Sequence, residues 1–363
     1  MNKINALRGR KVIAAMSGGV DSSVVAALLH QQGAEVIGVF LQVWDYQREE
    51  VSRHGSCCAL EDAYDARRVA DKLGIPFYSM DMREAFEHAV VRPFVAGYAE
   101  GRTPNPCERC NRFVKFGALL KAADELGVEW IATGHYVRRV DDAAGSHLLC
   151  GVDTAKDQSY FLATTKREAL DRLLFPLGEM CKPEVRHLAT EFGLPTAEKQ
   201  ESQDICFIPN GDRAAFLQHQ GVEKGFRRGD IVTHEGSVLG QHDGIAHFTM
   251  GQRRGLGLSG GPWRVVGLDA ERAQVMVAPA DDATLRRVWL TELNAIAPQP
   301  WPQQLQARIR YRGELEPCHW QREGDGLRLT FVQPVAVTAP GQVAALYVGD
   351  EVIAGGIIDR VEL

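Results

Sequence analysis

Apolar runs and amphipathic segments alternate through the first half of the chain. Runs of four to eight apolar residues predict buried strands, and longer segments with a 3.6-residue period predict helices. The predicted strands are 12–16, 35–41, 76–81 and 130–136, and the predicted helices are 24–30, 60–73, 83–100 and 113–126. Repeated βα units imply an α/β domain with a mostly parallel sheet. Ligands bind such sheets at the carboxyl ends of the strands, so the loops after residues 16, 41, 81 and 133 are expected to surround one site.

The pattern changes near residue 209 to short β-like runs separated by Gly and Pro, which predicts small β domains. A second change falls near 285–300, and the runs that follow it fit a barrel of six or seven strands. The predicted domains are 1–208, 209–288 and 289–363.

Composition restricts the class of protein. The chain has 363 residues, 45% hydrophobic and 24% charged, as in ordinary globular proteins. It contains no signal-peptide pattern and no run of about 18 apolar residues, so a cytoplasmic protein without a membrane partner is expected. Its eight cysteines are then mostly reduced. The net charge of −6 argues against indiscriminate nucleic-acid binding but allows a local basic patch.

The first predicted strand leads into Ser17-Gly18-Gly19-Val20-Asp21-Ser22-Ser23, and a predicted helix follows. Glycines there let backbone N–H groups approach an anion, and the helix N-terminus adds a positive dipole end. The loop lacks the Gly-Lys-Ser/Thr of a Walker A motif. The alternative is a turn that merely joins strand to helix. The pattern resembles the loop of the PP-loop superfamily, whose members cleave ATP between the α and β phosphates.

Two cysteines lie in a proline-rich turn before a predicted helix, in Thr103-Pro104-Asn105-Pro106-Cys107-Glu108-Arg109-Cys110. A cysteine at a helix N-terminus with arginines nearby in sequence favours the reactive thiolate. The alternative is an incidental loop cysteine. Cys206, within a short apolar run, is most simply a buried structural cysteine when considered alone.

A set of motifs in fixed order carries a full-length resemblance. These are Ala15–Ser22, Thr103–Pro106 with Cys110-Asn111, Ala132–Tyr136, Lys156–Leu162, Ser202–Phe207, His247–Arg253 and Ile309–Arg312. Together they resemble the tRNA-specific 2-thiouridylase family of the MnmA type. The resemblance implies a PP-loop domain of the adenine-nucleotide alpha-hydrolase-like (HUP) type, followed by two smaller β domains, the last a tRNA-binding barrel.

The resemblance also implies a reaction, in which the C2 oxygen of the wobble uridine of tRNAs for Lys, Glu and Gln is adenylated by ATP with Mg²⁺. Sulfur from a cysteine persulfide then replaces AMP. A cysteine desulfurase or sulfur-relay protein supplies this sulfur. Cys206 resembles the persulfide carrier and Cys110 its partner nucleophile, and the two could close a disulfide. The implied ATP-binding residues are Ala15, Met16, Ser17, Gly18, Gly19, Val20, Asp21, Ser22, Leu41 and Gly134. The implied contacts to the target base and tRNA are Asn105, Pro106, Cys107, Lys156, Asp157, Gln158, Arg310 and Tyr311.

The segment Arg308–Arg312 places an arginine at every second position. On a strand, this alternation would put three guanidinium groups on one face, where they could bind RNA phosphates. A solvated strand face is the alternative.

One position departs from the family pattern. Many members carry Asp after Asn-Pro, whereas this chain has Cys107. Three thiols, those of Cys107, Cys110 and Cys206, could then hold a [4Fe–4S] cluster, which is the competing route for sulfur transfer. A zinc site using Cys57 or Cys58 is a weaker option, since no His lies at ligand spacing.

Two other function classes stay open from the residues alone. A PP-loop synthetase that acts on a small molecule, such as an argininosuccinate- or NAD-synthetase-like enzyme, would explain Ser17–Ser23 but not the cysteines or the β domains. A non-catalytic RNA-binding module would not need the ATP loop.

Overall fold

The computed structural model describes residues 7–44, 60–201, 205–208 and 211–363. The helices are α1 (Val20–Gln31), α2 (Leu60–Leu73), α3 (Arg83–Phe86), α4 (Arg92–Ala99), α5 (Pro106–Arg109), α6 (Phe116–Glu125), α7 (Ser159–Leu162), α8 (Arg167–Leu170), α9 (Lys182–Glu191) and α10 (Arg213–His219). Two π-helical segments, Glu87–Val91 and Cys110–Lys115, and two 3₁₀ turns, Lys224–Phe226 and Ile245–His247, complete the helical structure of these residues.

The strands of the first half are β1 (Lys11–Ala15), β2 (Glu35–Gln42), β3 (Phe77–Asp81), β4 (Trp130–Ala132), β5 (Val137–Asp142), β6 (Gly145–Cys150) and β7 (Leu173–Leu174). Those of the second half are β8 (Gly229–Thr233), β9 (Val238–His242), β10 (Trp263–Asp269), β11 (Gln274–Pro279), β12 (Thr284–Ala295), β13 (Gln304–Arg308), β14 (Glu316–Glu323), β15 (Gly326–Ala336), β16 (Val343–Val348) and β17 (Glu351–Glu362).

The chain divides into two compact units. The first comprises Met1–Ala89, Cys107–Gly211 and Asp350–Val352, and the second comprises Val90–Pro106, Asp212–Gly349 and Ile353–Leu363. The predicted boundary at 288/289 falls within β12.

A parallel sheet in the order β3-β2-β1-β4-β7 forms the centre of the first unit. The interior of β1 is fully buried, with Val12 and Ile13 at 0% exposure, which explains its continuous apolar sequence. The chain first runs outward from β1 to β3 and later continues on the other side of β1 with β4. This reversal beside β1 is the place where open α/β sheets bind ligands, and the Ser17–Ser23 loop leaves β1 there.

The predicted helix at 60–73 is confirmed by α2, but the predicted helix at 113–126 begins too late. Helical structure starts at Pro106, whose missing N–H costs nothing at the first helical position. It continues through the π-helical segment Cys110–Lys115 into α6. Cys107 therefore lies at the N-terminus of this helical stretch, and Cys110 lies one turn further along.

A β-hairpin formed by β5 and β6 lies beside the first two residues of β17 within the first unit. Leu149 and Leu148 pair with Glu351 and Val352. The imidazole of His147 lies 2.6 Å from Glu351 Oε1 and 2.9 Å from Asp142 Oδ1. The hydrogen bond to Glu351 outweighs partial burial and raises the pKa of His147.

The second unit contains a four-stranded sheet in the order β10-β11-β8-β9 and a six-stranded barrel. The barrel order is β12-β15-β14-β13-β16-β17, and pairing of β12 with β17 closes it. This closure confirms the predicted β-barrel. Its interior is filled by apolar side chains, including Cys318, where burial raises the thiol pKa to about 12 and leaves it unreactive.

The interpretation of the arginine alternation as one strand face is wrong. β13 ends at Arg308, and Arg310–Gly313 form a turn closed by a 3.0 Å hydrogen bond from Gly313 N–H to the Arg310 carbonyl. Arg312 has a φ of +60°. The Arg308 guanidinium lies 5.4 Å from the centre of the Tyr347 ring. Only Arg310, Tyr311 and Arg312 of this stretch are exposed.

Candidate active site

The Ser17–Ser23 loop is closed by its own hydroxyl groups. Ser23 Oγ donates to the Gly19 carbonyl at 2.8 Å, and Ser22 Oγ donates to the same oxygen at 3.1 Å. The Ser17 N–H donates to Ser22 Oγ at 3.1 Å. Ser22 and Ser23 are buried, whereas Ser17 is exposed. The two buried serines therefore shape the loop, and Ser17 is the hydroxyl that a ligand can reach.

Gly18 allows this loop to pack against the start of α2. Its φ is +77°, and a Cβ built there would lie 2.2 Å from the Asp62 carbonyl oxygen. Gly134, just after β4, also approaches the loop closely, since a Cβ there would lie 3.1 Å from Ser22 N. The loop is thus fixed between two neighbours at the edge of the sheet.

Gly18→Ala is expected to destabilise the first unit by about 3 kcal/mol, because the new methyl group must displace backbone and adopt a left-handed conformation. Gly74→Ala is the matched control, since Gly74 also has a positive φ of +66° but no atom within 4 Å of its Cβ position. The free energy of unfolding of this control should fall by only about 1 kcal/mol. Urea unfolding of both variants measures the difference, and equal losses would contradict the close approach at Gly18.

Asp21 connects the loop to residues far away in sequence. Its carboxylate accepts hydrogen bonds from Lys182 Nζ at 2.7 and 2.8 Å and from Tyr136 Oη at 2.8 Å. Burial and the Asp21 charge raise the pKa of Tyr136, so its hydroxyl stays protonated and donates.

Lys182 also contacts Glu201, with Nζ 2.7 Å from Oε1, and Lys156 Nζ lies 2.5 Å from Glu201 Oε2. Burial alone would raise the pKa of Glu201, but the hydrogen bonds from Lys156 and Lys182 lower it to about 2. We call Asp21, Lys182, Glu201 and Lys156 the lysine–carboxylate network.

Sequence reasoning missed Lys182, Glu201 and the role of Tyr136, since no local motif signals a partner 161 positions away.

The side chains of Asp157 and Gln158 hydrogen-bond neighbouring segments of the first unit. Asp157 is buried, and its carboxylate accepts from Ser159 Oγ at 2.8 Å and from the Gly151 N–H at 3.1 Å. Gln158 Oε1 accepts from the Tyr136 N–H at 2.9 Å. These contacts fix the segment from which Lys156 reaches Glu201.

His135 is a neutral imidazole. Burial, assisted by the Lys115 charge, lowers its pKa to about 3. Its Nδ1 lies 2.9 Å from Thr133 Oγ1. This ring therefore offers hydrogen bonds rather than a positive charge.

The three cysteines proposed for the sulfur chemistry differ in exposure. Cys110 is buried at 5% exposure, Cys107 is exposed and Cys206 is intermediate. Arg109 donates to the Ala89 carbonyl at 2.8 Å, and both Arg109 and Arg112 lie against the Phe113 ring. Activation of Cys110 by these arginines stays a prediction.

The segment that carries Cys206 is held by the residue after it. Phe207 is fully buried, and its ring centre lies 5.5 Å from that of Phe86 and 5.8 Å from that of Trp44. The sequence interpretation of Cys206 as a buried structural cysteine is not supported, because Phe207 fills the core there and Cys206 keeps partial exposure. The disulfide between Cys110 and Cys206 is not formed in this structure.

The loop before Cys107 is fixed within the second unit. The Thr103 N–H donates to the Pro340 carbonyl at 2.8 Å, and the Thr103 carbonyl accepts from Gln342 Nε2 at 2.7 Å. Arg102 lies 3.2 Å from Asp359. Asn105, an expected base contact, is buried at 8% exposure.

The described residues contain no group of three or more His, Cys, Asp or Glu side chains that could hold a metal ion. Cys107, Cys110 and Cys206 are all among them, and they do not form such a group. Cys57 and Cys58, the zinc option, lie outside the described residues, as do Ser202, Gln203 and Asp204 of one motif. Within the same part of the chain, no helix is both long and apolar enough to cross a membrane.

Comparison with known proteins covers the chain in three parts. Residues 10–210 match the family described as "tRNA methyl transferase HUP domain", residues 214–279 match "tRNA methyl transferase PRC-barrel domain", and residues 286–358 match "Aminomethyltransferase beta-barrel domain". A tRNA-specific 2-thiouridylase MnmA of Geobacter metallireducens is 48% identical over 96% of this chain and 97% of its own length. The chain belongs to the tRNA-specific 2-thiouridylase family. Further 2-thiouridylases, from Carboxydothermus hydrogenoformans and Thermus thermophilus, are each 45% identical over 97% of this chain and cover 98% and 95% of their own lengths.

Membership in the 2-thiouridylase family confirms the resemblance drawn from the motifs. The HUP match spans the parallel sheet and its loop, and the two further matches span the small sheet and the barrel. The HUP fold of the first unit supports the use of ATP.

Proposed function

We propose that this protein is an ATP-dependent tRNA-uridine 2-sulfurtransferase. The observation that carries the proposal is the near-complete overlap with tRNA-specific 2-thiouridylases, at 45–48% identity. The loop at the carboxyl end of β1 and the cysteines of the same unit supply the groups that this reaction needs.

The first chemical step is adenylation. The wobble uridine leaves the anticodon stack, as enzymes that act on bases require. Its C2 oxygen attacks the α phosphorus of ATP, and the bond to the β phosphate breaks to release pyrophosphate. Backbone N–H groups of the Ser17–Ser23 loop and the start of α1 bind the phosphates, and Leu41 and Gly134 lie at the adenosine side.

Mg²⁺ is usually held by one or two carboxylates together with phosphate oxygens, and the carboxylates of Asp21 and Glu201, which share the Lys182 ammonium group, are candidates to hold it. When bound, the ion would neutralise charge on the departing pyrophosphate.

The second step transfers sulfur. The terminal sulfur of a Cys206 persulfide attacks C2, and AMP leaves with the C2 oxygen. The Cys110 thiolate then attacks Cys206 Sγ, so the S–S bond breaks and the transferred sulfur stays on the uridine as 2-thiouridine. A Cys110–Cys206 disulfide remains, and a thiol reductant restores both thiols.

The partners follow from this chemistry. The substrates are tRNAs for Lys, Glu and Gln, and a cysteine desulfurase or sulfur-relay protein loads Cys206. The loop of Asn105, Pro106 and Cys107 faces the target base. Lys156, Arg310 and Tyr311 contribute to tRNA binding directly, and Asp157 and Gln158 contribute by fixing the segment that carries Lys156. The domains 1–208, 209–288 and 289–363 would divide catalysis from tRNA binding.

The direct test supplies ATP, Mg²⁺, tRNA and a cysteine desulfurase with cysteine. Pyrophosphate should appear only with a tRNA that has uridine at the wobble position, and mass spectrometry should then find 2-thiouridine. A tRNA with a different wobble base is the control. Pyrophosphate release that does not depend on tRNA would favour the small-molecule synthetase instead.

Arg310→Ala is expected to weaken tRNA binding. It should also lower the number of counterions released on binding, read from the slope of log affinity against log salt concentration, by about one, because an arginine that binds a phosphate releases one counterion. Arg272→Ala, which removes an exposed arginine beside Asp269, is the matched control. Binding measured from low to high salt separates the two. An unchanged slope for Arg310→Ala would exclude the turn after β13 from the tRNA interface.

A further inference from the structure

The Ser17–Ser23 loop contains no lysine, but a lysine from a helix far away in sequence hydrogen-bonds the carboxylate of Asp21 in this loop. Lys182 is the first residue of α9, and its side chain is 9% exposed. Its ammonium lies 2.7 Å from Asp21 Oδ1, 2.8 Å from Asp21 Oδ2 and 2.7 Å from Glu201 Oε1. A nearly buried positive charge is therefore placed at the loop that leaves β1.

This placement is unfavourable for α9 itself. A positive side chain in the first helical turn opposes the helix dipole, and ordering a buried lysine costs conformational entropy. Burying ion pairs seldom stabilises a fold more than apolar packing would. The position of Lys182 is better explained by a function at the loop than by the stability of the helix.

The start of α9 is not itself the anion site. The Cys181 N–H donates to Glu184 Oε2 at 2.6 Å, and the Lys182 N–H donates to Asp153 Oδ2 at 2.9 Å. Two carboxylates thus already occupy these donors. What α9 presents to the loop is the ammonium group of Lys182.

Both carboxylates that hold Lys182 have a second partner. Asp21 also accepts from Tyr136 Oη, and Glu201 also accepts from Lys156 Nζ. A phosphate oxygen can therefore replace one carboxylate on the ammonium group without leaving that carboxylate unpaired. The network can release Lys182 to a ligand at low cost.

We propose that Lys182 is the phosphate-contacting lysine of this site and donates to the β or γ phosphate of ATP and to the pyrophosphate that leaves. The inference rests on the proposed ATP reaction and adds to it a charged residue that the loop lacks. As the α–β bond breaks, negative charge grows on pyrophosphate, and a preplaced ammonium in a nearly buried site stabilises it.

The test compares ligands that differ in their phosphates. Lys182→Met keeps much of the length and apolar stem of the side chain but removes its charge. It should bind ATP and pyrophosphate at least about 10-fold more weakly, as expected for a lost charge-assisted hydrogen bond, while AMP affinity changes little. Lys182→Arg should recover part of the loss.

Lys199→Met is the matched control. Lys199 Nζ likewise bonds two carboxylates, Asp62 at 2.5 Å and Asp65 at 2.6 Å, but it does not contact Asp21. This variant should show the wild-type ratio of pyrophosphate to AMP affinity. If Lys182 had a purely structural role, Lys182→Met would weaken the binding of AMP and of pyrophosphate equally, and that result would overturn the inference.

The wild-type protein separates this inference from the proposed function. If wild type binds ATP and AMP and Lys182→Met binds pyrophosphate as tightly as wild type does, the role of Lys182 is wrong and the ATP reaction stands. If wild type binds neither ATP nor AMP, the proposed function fails, and the role of Lys182 fails with it.

Discussion

Replacement of Asp21 by Asn should reduce tRNA-dependent pyrophosphate release by about 100-fold or more, while tRNA affinity stays near the wild-type value. Asp21 is the carboxylate that both Lys182 and Tyr136 contact, and it lies in the first turn of α1 at the end of the loop. Its loss removes negative charge from the nucleotide site and leaves Glu201 as the carboxylate that forms an ion pair with Lys182.

Asn is a better substitution than Ala for this purpose, because its amide oxygen can still accept from Tyr136 Oη. Asp21→Ala should lose activity to a similar degree but also lose stability, since the Tyr136 hydroxyl and the Lys182 ammonium each lose a partner. Ser17→Ala, at the exposed hydroxyl of the loop, should also lose pyrophosphate release but keep the fold.

Asp142→Asn is the control for these measurements. Asp142 is an exposed carboxylate of the first unit that hydrogen-bonds His147. The experiment follows pyrophosphate release and tRNA binding in parallel for each variant. Wild-type pyrophosphate release by Asp21→Asn would show that the loop does not act on ATP.

Features encoded in short stretches of sequence could be predicted well. The parallel sheet, α2 and the loop after β1 all follow from local apolar patterns and from glycine and serine positions. The closed barrel followed from strand and turn spacing in the same way. In each of these the local pattern identifies the element, although the strand pairings themselves join residues as far apart as Val12 and Trp130.

Individual side-chain contacts between residues far apart in the chain could not be predicted. Lys182 reaches Asp21 from 161 positions away, and Gln342 holds Thr103 from 239 positions away. The helix start at Pro106 was missed because two prolines indicate a turn, although proline is favourable in the first helical turn. The alternation of Arg308, Arg310 and Arg312 mimics a strand, but the chain turns after Arg308.

The cysteine variants are expected to separate the two steps of the reaction. Cys206→Ser should still release pyrophosphate, because adenylation uses the loop and not the thiol, but thiolation should fall below about a thousandth of wild type. A hydroxyl group cannot carry sulfane sulfur. Cys206 is partly exposed beside the buried Phe207, so this substitution should leave the aromatic packing of Phe207 intact.

Cys110→Ser should also lose turnover, because the persulfide is no longer resolved. Cys107→Ser is the matched control: Cys107 lies in the same helical stretch but is exposed, whereas Cys110 is buried. The persulfide route uses the thiols of Cys206 and Cys110 alone, and serine keeps the size of the Cys107 side chain in the loop that faces the target base, so Cys107→Ser should keep activity. If the three thiols held a cluster, all three variants would lose iron and activity together.

The measurement is anaerobic thiolation of tRNA by the three single variants, with pyrophosphate and iron determined on the same samples. We expect active Cys107→Ser protein without iron, because the three thiols do not form a ligand group in the structure. Inactive, iron-depleted Cys107→Ser protein would overturn the persulfide route. Loss of pyrophosphate release in Cys206→Ser would instead place that thiol in the adenylation step, before sulfur is transferred.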